Sequence, residues 1–154
     1  MSDAPPAAPV PPGSIASLAL AAFCSGMSLR VNDALLPRLA AEFAVSLGEA
    51  SQVIGLFAVA YGAAQLFFGP LGDRFGKYRV VAWACLSCAL ASALCGLASG
   101  FTLLRLARVA AGICAAAIIP LSMAWIGDVI AYEQRQPVLA RLLVGQILGL
   151  SAGV

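Results

Sequence analysis

The sequence predicts an all-α membrane protein, an antiparallel bundle of transmembrane helices. Hydrophobic residues make up 62% of the 154 positions and charged residues only 10%, more apolar surface than one small soluble core can bury. The apolar positions are gathered into five runs, each close to the roughly 20 residues that a helix needs to cross a bilayer. Only short polar breaks separate these runs, so consecutive helices are expected to be antiparallel neighbours.

The chain begins with a segment that is not expected to fold. Residues 1–13 are rich in proline and alanine and carry one charge, Asp3, a composition typical of disordered tails. The apolar run that follows lacks the basic segment of a secretory signal and is longer than the apolar core of one. We therefore expect a disordered cytoplasmic tail at 1–13 and a retained first transmembrane helix at 14–36.

The other four spans follow from the same length argument. They are expected at residues 50–69, 80–98, 101–126 and 137–154. The fifth run continues to the last residue, so its helix is expected to be cut off.

The distribution of lysine and arginine predicts the orientation, because short cytoplasmic loops are enriched in these residues. Arg74, Lys77 and Arg79 lie between the second and third spans, and Arg135 and Arg141 follow the fourth span on the same side of the membrane. On the opposite side, Arg38 is offset by Glu42 and Glu49. The N-terminus is therefore expected to be cytoplasmic, in a protein of the cell membrane (inner or plasma membrane).

Glycine spacing predicts where helices pack closely. Gly55, Gly62 and Gly69 recur every seven residues on the second span, and the fifth span carries three glycines spaced by four, Gly145, Gly149 and Gly153. Small residues at such spacing let a neighbouring backbone approach a membrane helix. Both stripes are expected to be packing faces.

Several classes of function are excluded by composition. The chain has no histidine, and its five cysteines lie within apolar runs, where cysteine behaves as a small hydrophobe. No metal or cofactor is therefore expected, and no catalytic nucleophile with a base beside it can be assembled. The net charge of +2 gives nucleic-acid binding no basis, so neither an enzyme nor a nucleic-acid partner is expected.

Charged residues inside the predicted spans are the first functional candidates, because a charge in the membrane normally faces a partner or a wet cavity. Arg30 and Asp33 are three residues apart, so they share a face of the first span. Arg108 lies at a similar depth in the fourth span. We expect these three residues to form a partly buried charge cluster lining a central cavity; the alternatives are a static ion pair or side chains that extend to the interface.

The carboxylate of Asp33 suggests coupling of transport to protons. Burial favours the protonated form of a carboxylate and a nearby arginine favours its charged form, so arrival of a substrate can shift the balance. Tyr61 and Gln65, four residues apart on the second span, are candidates for contact with a small-molecule substrate. Hydrogen bonding between helices is the alternative for that pair.

The break between the second and third spans carries the most specific pattern in the chain. It runs from Gly69 to Arg79 as G-P-L-G-D-R-F-G-K-Y-R. The pattern G-x-L-x-D-R-x-G-(R/K)-x-(R/K) resembles the loop between helices 2 and 3 of the major facilitator superfamily (MFS), whose members are secondary transporters. The resemblance implies a cytoplasmic gating loop formed by Gly69, Asp73, Arg74, Gly76, Lys77 and Arg79.

Three further segments resemble family motifs. Arg108 with Gly112 is similar to the R-x-x-x-G pattern of helix 4, in which the arginine is implicated in proton coupling. Asp128, Glu133 and Arg135 resemble a cytoplasmic charge cluster that contacts the gating loop. The glycines Gly145, Gly149 and Gly153 resemble a helix 5 motif of drug and proton antiporters, with Leu150 where those antiporters have proline.

The resemblance implies a fold and a function. Residues 14–154 are expected to form five of the six helices of the N-terminal MFS domain, and the chain looks truncated: helix 6 and the C-terminal half of the transporter, a necessary partner, are missing. The implied function is secondary active transport of a small solute by alternating access, most simply proton-coupled efflux of an amphipathic or sugar-like compound. The alternative is a membrane scaffold or interaction protein that does not transport.

Overall fold

The part of the chain that the structure describes folds into seven helical segments. A computed structural model describes residues 11–154, so most of the tail expected at 1–13 lies outside the described residues. The described part contains no strand. The helices are α1 (Ser14–Glu42), α2 (Leu47–Ala50), α3 (Gln52–Phe75), α4 (Lys77–Gly96), α5 (Phe101–Ala115), α6 (Ile118–Val129) and α7 (Tyr132–Ala152).

Within residues 11–154, four stretches of helix are long and apolar enough to cross a membrane, namely Ser14–Glu42, Leu47–Phe75, Lys77–Gly96 and Phe101–Val129. The helix α7, where the fifth span was expected, is not one of these four. It carries Glu133, Arg135 and Arg141, which lower its mean hydropathy. It nevertheless packs along the length of α1 as a member of the bundle.

The first helix is longer than expected from the sequence. It continues through Pro37 to Glu42 instead of ending near position 36. Proline removes one backbone donor, and with it one hydrogen bond; here the turns on either side remain helical. The prediction placed the end too early because it followed hydropathy, and the last turns of α1 carry the charged residues Arg38 and Glu42.

Local chemistry explains two breaks in the helices. Gly76 joins α3 directly to α4 with φ +88°, a conformation that glycine adopts without a steric penalty. Within the fourth span, α5 ends at Ala115 and α6 begins at Ile118. Pro120 has no N–H to bond the carbonyl of Ala116, so the helical ladder is interrupted there.

Two helix pairs dominate the bundle. The most extensive interface joins α1 to α7, the next joins α3 to α5, and α4 packs against both α5 and α6. The larger core lies where α1, α4, α6 and α7 meet, around residues such as Leu18, Val81, Ile118 and Leu142.

Glycines allow the closest approaches between helices. A Cβ at Gly145 or Gly149 would collide with the backbone of α1, at Ala19 and Phe23 respectively. At Gly153 a Cβ would lie 2.8 Å from the carbonyl oxygen of Met27, and at Gly112 it would lie 2.5 Å from that of Phe57. These four glycines therefore lie at helix crossings.

The glycine stripe expected on the second span, which lies on α3, is not packed against another described helix. A Cβ at Gly55, Gly62 or Gly69 would meet nothing within 4 Å. Seven-residue spacing correctly places the three glycines on one face of α3, but α5 packs on a different face. The expectation of a packed stripe is therefore wrong for the described residues.

Candidate functional site

Arg108 lies in the interior of the bundle. It is on α5, only 3% of its surface is exposed, and it points into the junction of α1, α3 and α5. An isolated charge in such surroundings is costly unless other groups solvate it. The neighbours of this side chain are therefore central to its role.

The guanidinium of Arg108 is solvated by neutral groups. Its Nη1 and Nη2 each donate to the carbonyl oxygen of Ser28 at 3.3 Å, and its Nε donates to that of Val53 at 3.4 Å. The ring of Phe57 lies beneath it, with the Arg108 Cζ 4.2 Å from the ring centroid. This geometry is typical of a cation–π contact.

Asn32 completes this environment. With the amide oriented so that its oxygen faces the guanidinium, Oδ1 accepts from Nε at 2.8 Å, from Nη2 at 3.1 Å and from Nη1 at 3.2 Å. Asn32 is itself 7% exposed. We call Arg108, Asn32, Phe57, Ser28 and Val53 the arginine cluster; it links three helices.

The three charges expected to meet do not form one cluster. Arg30 and Asp33 do pair, with Nη1 3.2 Å from Oδ2. The ion pairs within 4 Å in the described residues include none with Arg108. Successive residues of a helix are about 100° apart around its axis, so Asn32 faces Arg108 and Asp33 is turned toward Arg30.

A groove of about 740 Å³ runs between α1 and α4, with α5 at its base. We call it the α1–α4 groove. Arg108 and Asn32 border it, whereas Tyr61 and Gln65 do not. Tyr61 instead stacks on Phe57, with ring centroids 6.1 Å apart, and Gln65 is exposed on α3.

Two residues of the expected gating loop, Asp73 and Lys77, meet at one end of the bundle, which we call the Gly76 end. Lys77 Nζ lies 2.5 Å from Asp128 Oδ2 and 3.5 Å from Asp73 Oδ1. The start of α4 is thereby joined to the end of α3 and the end of α6. Nearby, the hydroxyls of Ser17 and Tyr78 are 2.9 Å apart and link α1 to α4.

The other residues expected in this region are more loosely held. Arg74 lies over the ring of Phe75 at 5.3 Å, and Arg79 and Gly69 are exposed. Arg135 donates through Nε to the carbonyl of Ile130 at 2.8 Å, and Glu133 is exposed. Of the expected cluster of Asp128, Glu133 and Arg135, Asp128 is therefore the member that the structure places against the gating loop.

Sequence reasoning missed Asn32 and Phe57. An asparagine inside an apolar run is a polar group that needs a partner, so it could have been recognised as a candidate. Phe57 carried no such signal, because an aromatic residue on a membrane helix usually indicates packing. The described residues contain no group of three or more acidic or cysteine side chains placed to hold a metal ion.

Comparison with known proteins shows several relatives. The chain is 32% identical over 106 residues to the multidrug export protein EmrB of Escherichia coli, a match that covers 69% of this chain and 21% of that protein. It is 30% identical over 137 residues to the uncharacterised MFS-type transporter YceJ of Bacillus subtilis, covering 85% of this chain and 35% of the relative. The chain thus spans between about a fifth and a third of the length of these curated relatives.

The family profile agrees with these matches and with the fold. The profile described as Major Facilitator Superfamily matches residues 18–154, nearly all of the described chain. Apart from the first four residues of α1, the helices and the arginine cluster lie within that match. This chain belongs to the major facilitator superfamily.

Proposed function

We propose that this chain forms part of a secondary transporter that exports a small solute by alternating access, with proton coupling. Membership of a transporter family supports transport in general. Efflux is favoured because the relatives include a multidrug export protein. The candidate substrate is a small amphipathic or sugar-like compound.

The observation that carries the proposal is the arginine cluster. Burying a guanidinium among three helices costs free energy, and a static scaffold gains little stability from it. In a transporter, the same charge creates a positive potential beside the titratable Asp33, one residue from Asn32. Asp33 and Asn32 are neighbours on α1, so binding of a proton to Asp33 is linked through this helix to the position of Arg108. We propose this link as the route by which proton binding is coupled to transport.

Alternating access requires an end of the bundle that opens and closes. The contacts of Lys77 with Asp73 and Asp128 are suited to that task, because exposed ion pairs are individually weak, about 0–1 kcal/mol. They can break during each cycle without a large barrier. We propose that this loop latches the Gly76 end in one conformation.

A complete transporter of this kind needs a second half. The uncovered face of α3, which carries Gly55, Gly62 and Gly69, has room for close helix packing. We propose that the C-terminal half packs on this face. The cations near the Gly76 end favour a cytoplasmic position for that end, and with it a cytoplasmic N-terminus in the cell membrane.

The test is flux through a complete transporter that contains this chain, reconstituted in proteoliposomes. A pH gradient should drive movement of amphipathic fluorescent dyes, and Arg108→Gln should abolish it. Arg105→Gln is the matched control, since Arg105 is on the same helix but bonds Gln52 at the bundle end, 3.1 Å away. Folded protein that moves no dye, sugar or other small solute under any gradient would favour the scaffold alternative.

A further inference from the structure

The charges in the middle of the membrane-length helices do not balance. Within the four stretches that can cross a membrane, the charged side chains more than five residues from either end are Arg30, Asp33 and Arg108. Two cations and one anion leave one net positive charge. Because a guanidinium stays protonated in proteins, this excess of positive charge is permanent.

The single carboxylate of this set already has a partner. Asp33 pairs with Arg30, with Oδ2 3.2 Å from Nη1, whereas Arg108 bonds neutral acceptors that leave its charge uncancelled. At this depth in the described helices, a cationic solute therefore meets no free carboxylate. An anionic solute meets an uncancelled cation.

An aromatic stack leads from Arg108 toward the open face of α3. The ring of Phe57 lies under the guanidinium, and the half-buried ring of Tyr61 stacks on Phe57 with the two planes 18° apart. Gln65, one turn further along, is exposed. It follows Gly62 by three residues and so shares the face of α3 on which a Cβ would meet nothing within 4 Å. A solute held between the two halves of a transporter would contact this face.

We infer that the solute is an amphipathic organic anion, with an aromatic ring and a carboxylate. The ring stacks on Tyr61, and the Tyr61 hydroxyl and the Gln65 amide donate hydrogen bonds to the carboxylate. The positive potential of Arg108 attracts the anion and repels a cation of the same shape. This inference rests on the proposed transport function and adds to it the charge of the substrate.

Three probes of one shape and different charge test the inference: the carboxylate, the carboxamide and the amidine of naphthalene, substituted at the same ring position. Their binding to a complete transporter that contains this chain is measured by titration calorimetry in detergent. The carboxylate should bind about tenfold more tightly than the carboxamide, which is the effect of one unit charge at about 10 Å and an effective dielectric constant of about 20. The amidine should bind most weakly.

Variants locate the source of the preference. Arg108→Gln should bring the affinities of the three probes together, whereas the matched control Arg105→Gln should keep them apart. Asn32→Asp places a carboxylate beside Arg108 and should also reduce the preference for the anion, which provides a second test if Arg108→Gln does not fold. Tyr61→Leu should weaken the binding of all three probes, because each one loses the stacking partner.

Three results would overturn the inference: an amidine that binds as tightly as the carboxylate, a preference for the anion that persists in both Arg108→Gln and Asn32→Asp, or binding of none of the probes. Counterflow of the radiolabelled probes in proteoliposomes separates this inference from the transport proposal. Transport of the amidine but not of the carboxylate would support transport and contradict an anionic substrate. Tight binding of the carboxylate without movement of any solute would support the anion site and contradict transport.

Discussion

The guanidinium of Arg108 has five N–H donors, and no carboxylate of residues 11–154 lies within 4 Å to receive them. The acceptors are two backbone carbonyls and the amide oxygen of Asn32. Neutral acceptors satisfy the donors without cancelling the charge. At the scale of single residues, this retained positive charge is the most distinctive chemical property of the structure.

Replacing Asn32 should destabilise the complete protein. Asn32→Leu removes the closest acceptor and leaves buried donors of Arg108 unpaired, which costs about 1–3 kcal/mol. Asn32→Asp keeps the acceptor oxygens and is expected to fold, but its charge would hold Arg108 in place and slow transport. Thermal unfolding in detergent and dye flux would measure the two effects.

A double-mutant cycle is the control for that prediction. In an Arg108→Met background, Asn32→Leu should cost little because no guanidinium remains to be satisfied. An equal cost of Asn32→Leu in both backgrounds would show that Asn32 does not act through Arg108.

Asp33→Asn is expected to abolish flux driven by a pH gradient while leaving expression and folding intact. The substitution keeps the size of the side chain and removes its titration, and Asp33 is only partly buried beside Arg30. The measurement is proton-driven dye transport in proteoliposomes, with passive counterflow as the control. Full proton-driven transport by this variant would exclude Asp33 as the coupling group.

At the scale of helices, the Gly76 end shows how one lysine joins three elements. Asp73→Asn removes one of the two carboxylates at Lys77 and should shift the conformational equilibrium toward opening at this end. Cysteines introduced near Tyr78 should then react faster with a water-soluble maleimide. Unchanged reactivity would contradict a latch at this loop.

The close contact between α1 and α7 at a glycine leads to a second prediction at the scale of helices. Gly149→Ala places a methyl group against the backbone of Phe23, and overpacking of this kind costs about 1–3 kcal/mol. Gly127→Ala on α6 is the control, because its Cβ would meet nothing within 4 Å. The thermal midpoint should fall for the first variant and remain or rise for the second; equal midpoints would mean that α1 and α7 are not in close contact.

At the scale of the whole molecule, the face of α3 around Gly62 is the surface on which we propose that the C-terminal half of the transporter packs. Gly62→Leu adds a side chain where the described residues leave open space. If the C-terminal half packs there, the variant should lower the stability of the complete transporter by about 1–3 kcal/mol. Ser87→Leu, on exposed surface of α4, should not change it. A stable, active Gly62→Leu protein would place the second half elsewhere.

The sequence alone indicated much of the architecture and part of the site. Apolar runs indicated a helical membrane protein, and the pattern from Gly69 to Arg79 indicated the family. The ends of α1 and α3 were placed too early, because hydropathy does not register helical turns that continue into polar residues. Arg108 was recognised because a charge in an apolar run is rare and costly.

Composition and hydropathy thus determined that this chain is an all-α membrane protein with Arg108 as a charge within a span, and the resemblance of the segment from Gly69 to Arg79 to a family motif indicated a transporter family. Only the tertiary structure decided that Asn32, and not Asp33, faces Arg108, and that α7 packs through its glycines while α3 leaves Gly55, Gly62 and Gly69 exposed. The physical reason is rotation about the helix axis. The side chains of two successive residues in a helix point about 100° apart. Which neighbour each side chain contacts depends on how helices far apart in the sequence pack together.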